Sequence, residues 1–237
     1  MTAAGGSTVS VHVVSLRALD RVRGTATAEL PDADRAEIAG RTRGARRTKA
    51  EAARVLSRAV GGTVNASHDR DFLVVAGSDA TCGVDVEDAP EAELREVAAR
   101  FCAARDRSRA TRDGDLSARA LWTAKESAAK AVRRGLRAGL RSIGFAGDVT
   151  AEWSSVDWPF GGGFLTRTVD LGDRHCALTV RADIAPAVTV RVWTPTVWTS
   201  GSAGDRWSFT PADDPATADP DAHRVAVALA AFGGRCG

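Results

Sequence analysis

Three short segments place polar side chains at spacings that suit chemistry. The first is GVDVE, residues 83–87. In a strand, alternate side chains share a face, so Asp85 and Glu87 stand about 6–7 Å apart while Val84 and Val86 face the other way, into a core. Two carboxylates on one strand edge suit a hard divalent cation such as Mg²⁺, which completes its shell with water and substrate phosphates. The same pattern also describes a half-buried strand with a solvated acidic face. The second segment is LWTAKESAAK, residues 121–130. Helical spacing puts Trp122, Glu126 and Lys130 on one stripe and Leu121, Ala128 and Val132 on the packing side. Glu and Lys at i and i+4 also form a common surface pair worth about 0.2–0.5 kcal/mol, but a Trp beside them points to a partly covered cleft. The third is NASHDRDF, residues 65–72, where Ser67 and His68 read as a turn just before an apolar strand. There a hydroxyl and an imidazole reach a ligand at a sheet edge, although a histidine near a strand start is often structural. A Ser-His-Asp hydrolase is a poor reading, because no G-x-S-x-G elbow occurs.

Composition narrows the function classes. The 237 residues are 44% hydrophobic and 26% charged, as in a soluble globular protein. Net charge is only +2, which argues against a nucleic-acid binder recruited by bulk charge. Cys82, Cys102, Cys176 and Cys236 are scattered with no CxxC pair, so neither a structural zinc site nor a disulfide framework is expected. The first residues lack a basic start followed by a long apolar run, and no segment reaches membrane-span length; the expectation is a cytoplasmic protein with reduced thiols and no membrane partner. Of 32 basic residues only Lys49, Lys125 and Lys130 are lysines. Lys125 and Lys130 lie in one helix, and arginine cannot replace lysine as a proton acceptor.

The elements that must position these groups follow from periodicity and punctuation. A first strand is expected at 9–18, a short helix opening at Pro31-Asp32 and running through 31–41, and a helix at 48–60 stopped by Gly61 and Gly62. Strands follow at 70–77 and 82–88, a helix at 91–105, and the longest helix at 116–134, with Asp115 as its N-cap and Gly135 as its stop. Further strands are expected at 148–153, 163–171, 174–182 and 187–193, with a small closing helix at 222–233. Helix followed by strands recurs, which predicts an α+β fold of two similar α/β halves, an intramolecular pseudodimer with its active site in the cleft between them. The boundaries are 1–100 for the N-terminal half, 101–196 for the C-terminal half, and 197–237 for a loosely held tail rich in Ser, Asp, Pro, Gly and Thr.

SH, GVDVE and WxxKExxxK in this order resemble the 4′-phosphopantetheinyl transferase superfamily, most closely its long, surfactin-synthetase-activating, pseudodimeric type. The likeness spans roughly 35–195, and RFCAARD (100–106) resembles that family's intervening motif, with Asp106 at its acidic position. The resemblance implies transfer of phosphopantetheine from coenzyme A to a serine of an acyl or peptidyl carrier protein, in fatty-acid, polyketide or nonribosomal-peptide biosynthesis, with release of 3′,5′-ADP. It implies that Asp85, Glu87 and Glu126 hold Mg²⁺ against the diphosphate, with Asp85, Glu126 and Lys130 catalytic. Lys130 would contact the phosphates and help take the serine proton. Ser67 and His68 would bind nucleotide phosphates, Arg47 the 3′-phosphate, and Lys125 would also face the coenzyme.

One departure stands out. The family places a strand and a Gly-Lys/Arg-Pro loop, which cradles adenine, between the early helix and SH; here only residues 61–66 separate Val60 from Ser67. No such loop fits, so adenine recognition is rebuilt or absent. The alternatives are therefore a repurposed family member acting on another carrier-bound or free intermediate, and a non-enzymatic carrier-protein scaffold. The basic runs 41–49 and 133–141 could meet an acidic carrier. A chain with both halves needs no second copy to build its cleft, so a monomer is expected.

Overall fold

The computed structural model describes residues 7–23, 26–42, 45–103, 117–134, 139–159, 161–199, 205–214, 217–233 and 235–236. Two sheets form the frame of a mixed α+β fold compatible with two α/β halves. The first contains β1 (Thr8–Ser15), β2 (Thr27–Ala28), β3 (Thr63–His68), β4 (Phe72–Ser78), β10 (Ala187–Thr199) and β11 (Asp205–Pro211), in the order β2-β11-β10-β1-β4-β3, with β12 (Arg235–Cys236) beside β10. Its centre is the parallel pair β1–β10, from Thr8 opposite Ala187 to Val14 opposite Trp193. The second sheet is antiparallel, with order β5 (Cys82–Glu87), β9 (His175–Arg181), β8 (Phe164–Asp170), β7 (Ser154–Asp157), β6 (Gly144–Phe145).

Period-two alternation decides how the sheets meet. Val9, Val11 and Val13 of β1, Phe72, Val74 and Ala76 of β4, and Val188, Val190 and Val192 of β10 share one buried cluster with Val84 and Val86 of β5 and Cys176, Leu178 and Val180 of β9. The two sheets thus face each other across the main core. The opposite face of the first sheet, Leu73 and Val75 among it, is covered by α1 (Leu16–Arg23) and α3 (Ala45–Val60), with Ala52, Val55 and Leu56 inward. The opposite face of the second sheet packs on α5 (Ala118–Ala131), against which α4 (Glu91–Phe101) lies. The remaining α-helices among the described residues are α2 (Asp32–Arg41) and α6 (Pro220–Leu229).

Several expectations need correction. The first strand ends at Ser15, whose Oγ accepts a hydrogen bond from Ala18 N and caps α1. Leu16, Leu19 and Val22 then recur at helical spacing toward the core. Residues 148–153 form no strand: Asp148 Oδ1 accepts from both Thr150 N and Thr150 Oγ1, a side-chain turn that ends pairing. Ser67 and His68 are not in a turn but close strand β3, and only Gly61 and Gly62, both at positive φ, join it to α3. The region beyond 197 is not a loose tail. Strand β11 pairs with β10, burying Trp207 and Phe209, while α6, N-capped by Asp219, sends Ala222, Val225, Ala226 and Leu229 into the main core. Nor do the sheets follow a division at residue 100, since β5 lies in the second sheet and β10 in the first. Asp106, Asp115 and Gly135 lie outside the described residues; α5 is N-capped by Ser117.

Candidate functional site

Strand β5 sends Val84 and Val86 into the core, so Asp85, Glu87 and Gly83 face α5. Gly83 lets the helix come close: a Cβ there would lie 2.1 Å from Ser127 O and 2.4 Å from Ala131 N. The facing surfaces are small and polar, with Ser127 Oγ 2.6 Å from Thr179 Oγ1. Along α5, Trp122, Glu126 and Lys130 are half-buried, whereas Leu121 and Ala128 are fully buried, as the helical stripe predicts. The helix is also anchored at its start. Glu91 accepts from Ala118 N at 2.5 Å and Arg119 N at 3.2 Å, adding a carboxylate at the positive end of the helix.

Lys130 reaches across the gap between the sheets. Its Nζ donates to Asp85 Oδ1 at 2.6 Å and to Ser67 Oγ at 2.9 Å, and Ser67 Oγ donates to the same Asp85 oxygen at 2.9 Å. Ser67, Asp85 and Lys130 therefore form one closed triangle between β3, β5 and α5. Burial pushes the Asp85 carboxyl up, against the pull of Lys130 and Ser67. Burial also raises Glu87, opposed by the bond from Ala89 N, and Asp85 raises it further. Glu126 is raised by burial and then by Asp85, with Lys130 pulling the other way. Among the described residues no hydrogen bond or ion pair engages the Glu126 carboxylate. The three carboxylates thus feel one another, and one lysine offsets only part of their charge.

That set suits a hard divalent cation. All donors are oxygens, and their mutual repulsion is what a dication relieves. Among the described residues, no group of three His, Cys, Asp or Glu side chains is arranged to hold a metal alone. Mg²⁺ commonly uses one or two carboxylates, with water and substrate phosphates completing its shell. The residues fit the ion as partners of a phosphate-bearing substrate.

The other predicted residues divide. His68 closes β3; partial desolvation of its ring and then Lys49 lower its pKa, favouring the neutral form. Arg47 lies in the first turn of α3 but is paired with Glu51 at 2.9 Å, and no described contact joins it to Ser67, Asp85 or Lys130. Lys125 requires correction. It is fully buried, its Nζ donating to Leu140 O at 3.0 Å and to Ile143 O, beneath the Phe145 ring. Residue 125 lies on the packing side of α5, so its ammonium ties the helix to the following turn and does not face a coenzyme.

Sequence reasoning missed Lys49, whose Nζ donates to Asp69 O at 2.6 Å, next to His68. Its rarity in an arginine-rich chain was the available signal. Asp69 itself accepts from Asp71 N and Phe72 N, forming the hairpin below Ser67 and His68. Arg174, also missed, is buried and clamps that hairpin to the β8–β9 turn through Asp69 and Asp71, at 2.5 and 3.1 Å. Its other partner, Asp173, is adjacent, but the hairpin carboxylates it clamps lie about a hundred residues away, so nothing local in the sequence marks that role.

Residues 81–179 match the family model of the 4′-phosphopantetheinyl transferase superfamily. The matched span contains β5, α4, α5, β6, β7, β8 and most of β9, and so Asp85, Glu87, Glu126 and Lys130. No curated protein matches the chain significantly. No helix among the described residues is long and apolar enough to cross a membrane.

Proposed function

We propose that the chain is a 4′-phosphopantetheinyl transferase of the long, two-halved type, moving phosphopantetheine from coenzyme A to a carrier-protein serine. The observation that carries this reading is the meeting of Lys130, Asp85 and Ser67 beside Glu126, largely within the span matched to that superfamily. Both walls of the site come from one chain, which supports a monomeric enzyme.

In this reading Asp85, Glu87 and Glu126 would hold Mg²⁺, which supplies positive charge to the coenzyme A diphosphate. Lys130 gives the phosphates a second, fixed cation. His68, at the end of β3, and Lys49, whose ammonium reaches the hairpin just beyond it from α3, face the nucleotide phosphates, with Arg47 as a further cation from the same helix as Lys49. The serine oxygen attacks the phosphorus that bears the pantetheine arm. A new P–O bond forms, the bond from that phosphorus to the bridging oxygen breaks, and 3′,5′-ADP leaves with the electron pair. The serine proton goes to the carboxylate oxygen of Glu126 that the ion leaves free. Such proton transfer typically contributes about 10²–10⁴-fold.

Incubation of the protein with coenzyme A, Mg²⁺ and apo-acyl or apo-peptidyl carrier proteins, followed by intact mass, tests the proposal. The expected result is the gain of one phosphopantetheine per carrier. Unchanged mass across fatty-acid, polyketide and nonribosomal-peptide carriers would favour a repurposed enzyme or a scaffold.

A further inference from the structure

We infer that Lys130 gates the cation site, so that the divalent ion is taken up together with a diphosphate ligand and not alone. This rests on the transferase reading above. The ammonium of Lys130 stands 2.6 Å from Asp85 Oδ1 and 2.9 Å from Ser67 Oγ, and the hydroxyl of Ser67 donates to the same carboxylate oxygen. That oxygen therefore already accepts two hydrogen bonds, one of them from a full positive charge. Asp85 is the most enclosed of the three acidic residues, its side chain only 8% exposed. An ion approaching that oxygen meets an ammonium already seated on it, and two cations do not share one carboxylate oxygen in a partly desolvated site without strong repulsion.

Lys130 has somewhere to go. Its side chain is 27% exposed, so the end of a flexible stem borders solvent on one side. Alone, it gains nothing by leaving, since a departing ammonium strands a buried carboxylate. A diphosphate changes that balance, because its anionic oxygens accept the ammonium as it leaves Asp85 and at the same time supply further ligands to the entering ion. Lys130 exchange and ion entry are then one event. Ser67 acts as a positioning residue, holding the ammonium against Asp85 until the diphosphate arrives.

The test measures free Mn²⁺ by its paramagnetic resonance signal in titrations of the full chain. Wild type and Lys130→Gln are compared, each with and without saturating coenzyme A. The wild type is expected to bind Mn²⁺ alone at least tenfold more weakly than in the presence of coenzyme A. Lys130→Gln should bind Mn²⁺ alone at least tenfold more tightly than wild type, about 1.4 kcal/mol, and gain less from coenzyme A. A folded Lys130→Gln no tighter than wild type for Mn²⁺ alone, with the coenzyme A gain intact in both, overturns the gate and leaves the transferase reading standing. Coenzyme A that changes neither Mn²⁺ binding nor the melting temperature of either protein overturns both. Should Lys130→Gln fail to fold, the wild-type arms still decide: equal Mn²⁺ affinity with and without coenzyme A removes the gate.

Discussion

The close approach of α5 to β5 is the feature most open to a single-atom test, through Gly83→Ala. The added methyl would sit 2.1 Å from Ser127 O, 2.4 Å from Ala131 N and 3.0 Å from Ala131 Cα, whereas ordinary contacts begin at 3.4 Å. All three obstacles are helix backbone, so no rotamer change relieves them. The helix must withdraw by more than an ångström, or β5 must bend away from it. Overpacking of this kind costs about 1–3 kcal/mol, and at this chain length each kcal/mol lowers Tm by about 2–4 °C, so a drop of about 2–12 °C is expected. Activity should fall further than stability. Lys130 follows Ser127 by less than one turn, and the 2.6 Å contact to Asp85 cannot survive such a withdrawal unchanged. A misplacement of about 1 Å commonly costs about 10²-fold in rate. The assays are thermal melting and carrier labelling followed by mass. Gly40→Ala is the control, because a Cβ at Gly40 meets nothing within 4 Å and the residue is helical; its Tm should equal or slightly exceed that of wild type. A Gly83→Ala protein with wild-type Tm and rate would show that helix and strand are farther apart than described.

Other substitutions probe separate steps. Glu126→Ala should abolish carrier labelling while melting close to wild type, since burial and Asp85 already disfavour the charge it removes; substantial residual labelling would refute its role as base. Lys125→Met should leave the Leu140 and Ile143 carbonyls without their donor, at about 1–3 kcal/mol, seen as a lowered denaturation midpoint; an unchanged midpoint would show that the buried ammonium is dispensable. His12, buried in β1, accepts from Trp193 Nε1 at 2.7 Å, and burial pushes its pKa down to about 4. Because the folded value lies below the ordinary 6.5, its contribution is present above pH 6.5 and is lost as pH falls toward 4. The loss is about 3 kcal/mol by linkage. Urea midpoints from pH 7 to 4 should therefore be less steeply pH-dependent in His12→Gln, and parallel curves would contradict the assignment.

The local order of elements was legible where periodicity is strong. The β5 alternation set Asp85 and Glu87 opposite Val84 and Val86, and the 3.6-residue stripe of Trp122, Glu126 and Lys130 appears in the burial of α5. What was not legible depended on partners remote in sequence. Ser67 and His68 looked like turn residues because the stretch before them is short and polar, yet pairing with β4 makes 63–68 a strand. The region after 197 looked disordered by composition, but Trp207 and Phe209 alternate inward once β10 offers an edge. Lys125 and Lys130 are indistinguishable by residue type, and only the direction each takes from the helix separates a structural ammonium from a site ammonium.

The position of the site follows from how the two sheets fail to join. Strands β3 and β5 run beside each other at adjoining sheet edges, but no backbone ladder links them. Side chains do so instead. Asn65 Oδ1 accepts from Val84 N at 3.0 Å, and two residues on, Ser67 Oγ donates to Asp85 Oδ1 at 2.9 Å. Asn65 and Ser67 share a face of β3 by strand alternation, so one row of polar side chains stitches the seam. A ladder would have closed this gap with main chain and left no room for a third group. Stitching by side chains holds the strands a side-chain length apart, and Lys130 enters that width from α5, which Gly83 has allowed to lie close. The triangle of Ser67, Asp85 and Lys130 is thus the consequence of an incomplete sheet junction, a short connection at Gly61-Gly62 that starts β3 in register, and a missing side chain at residue 83.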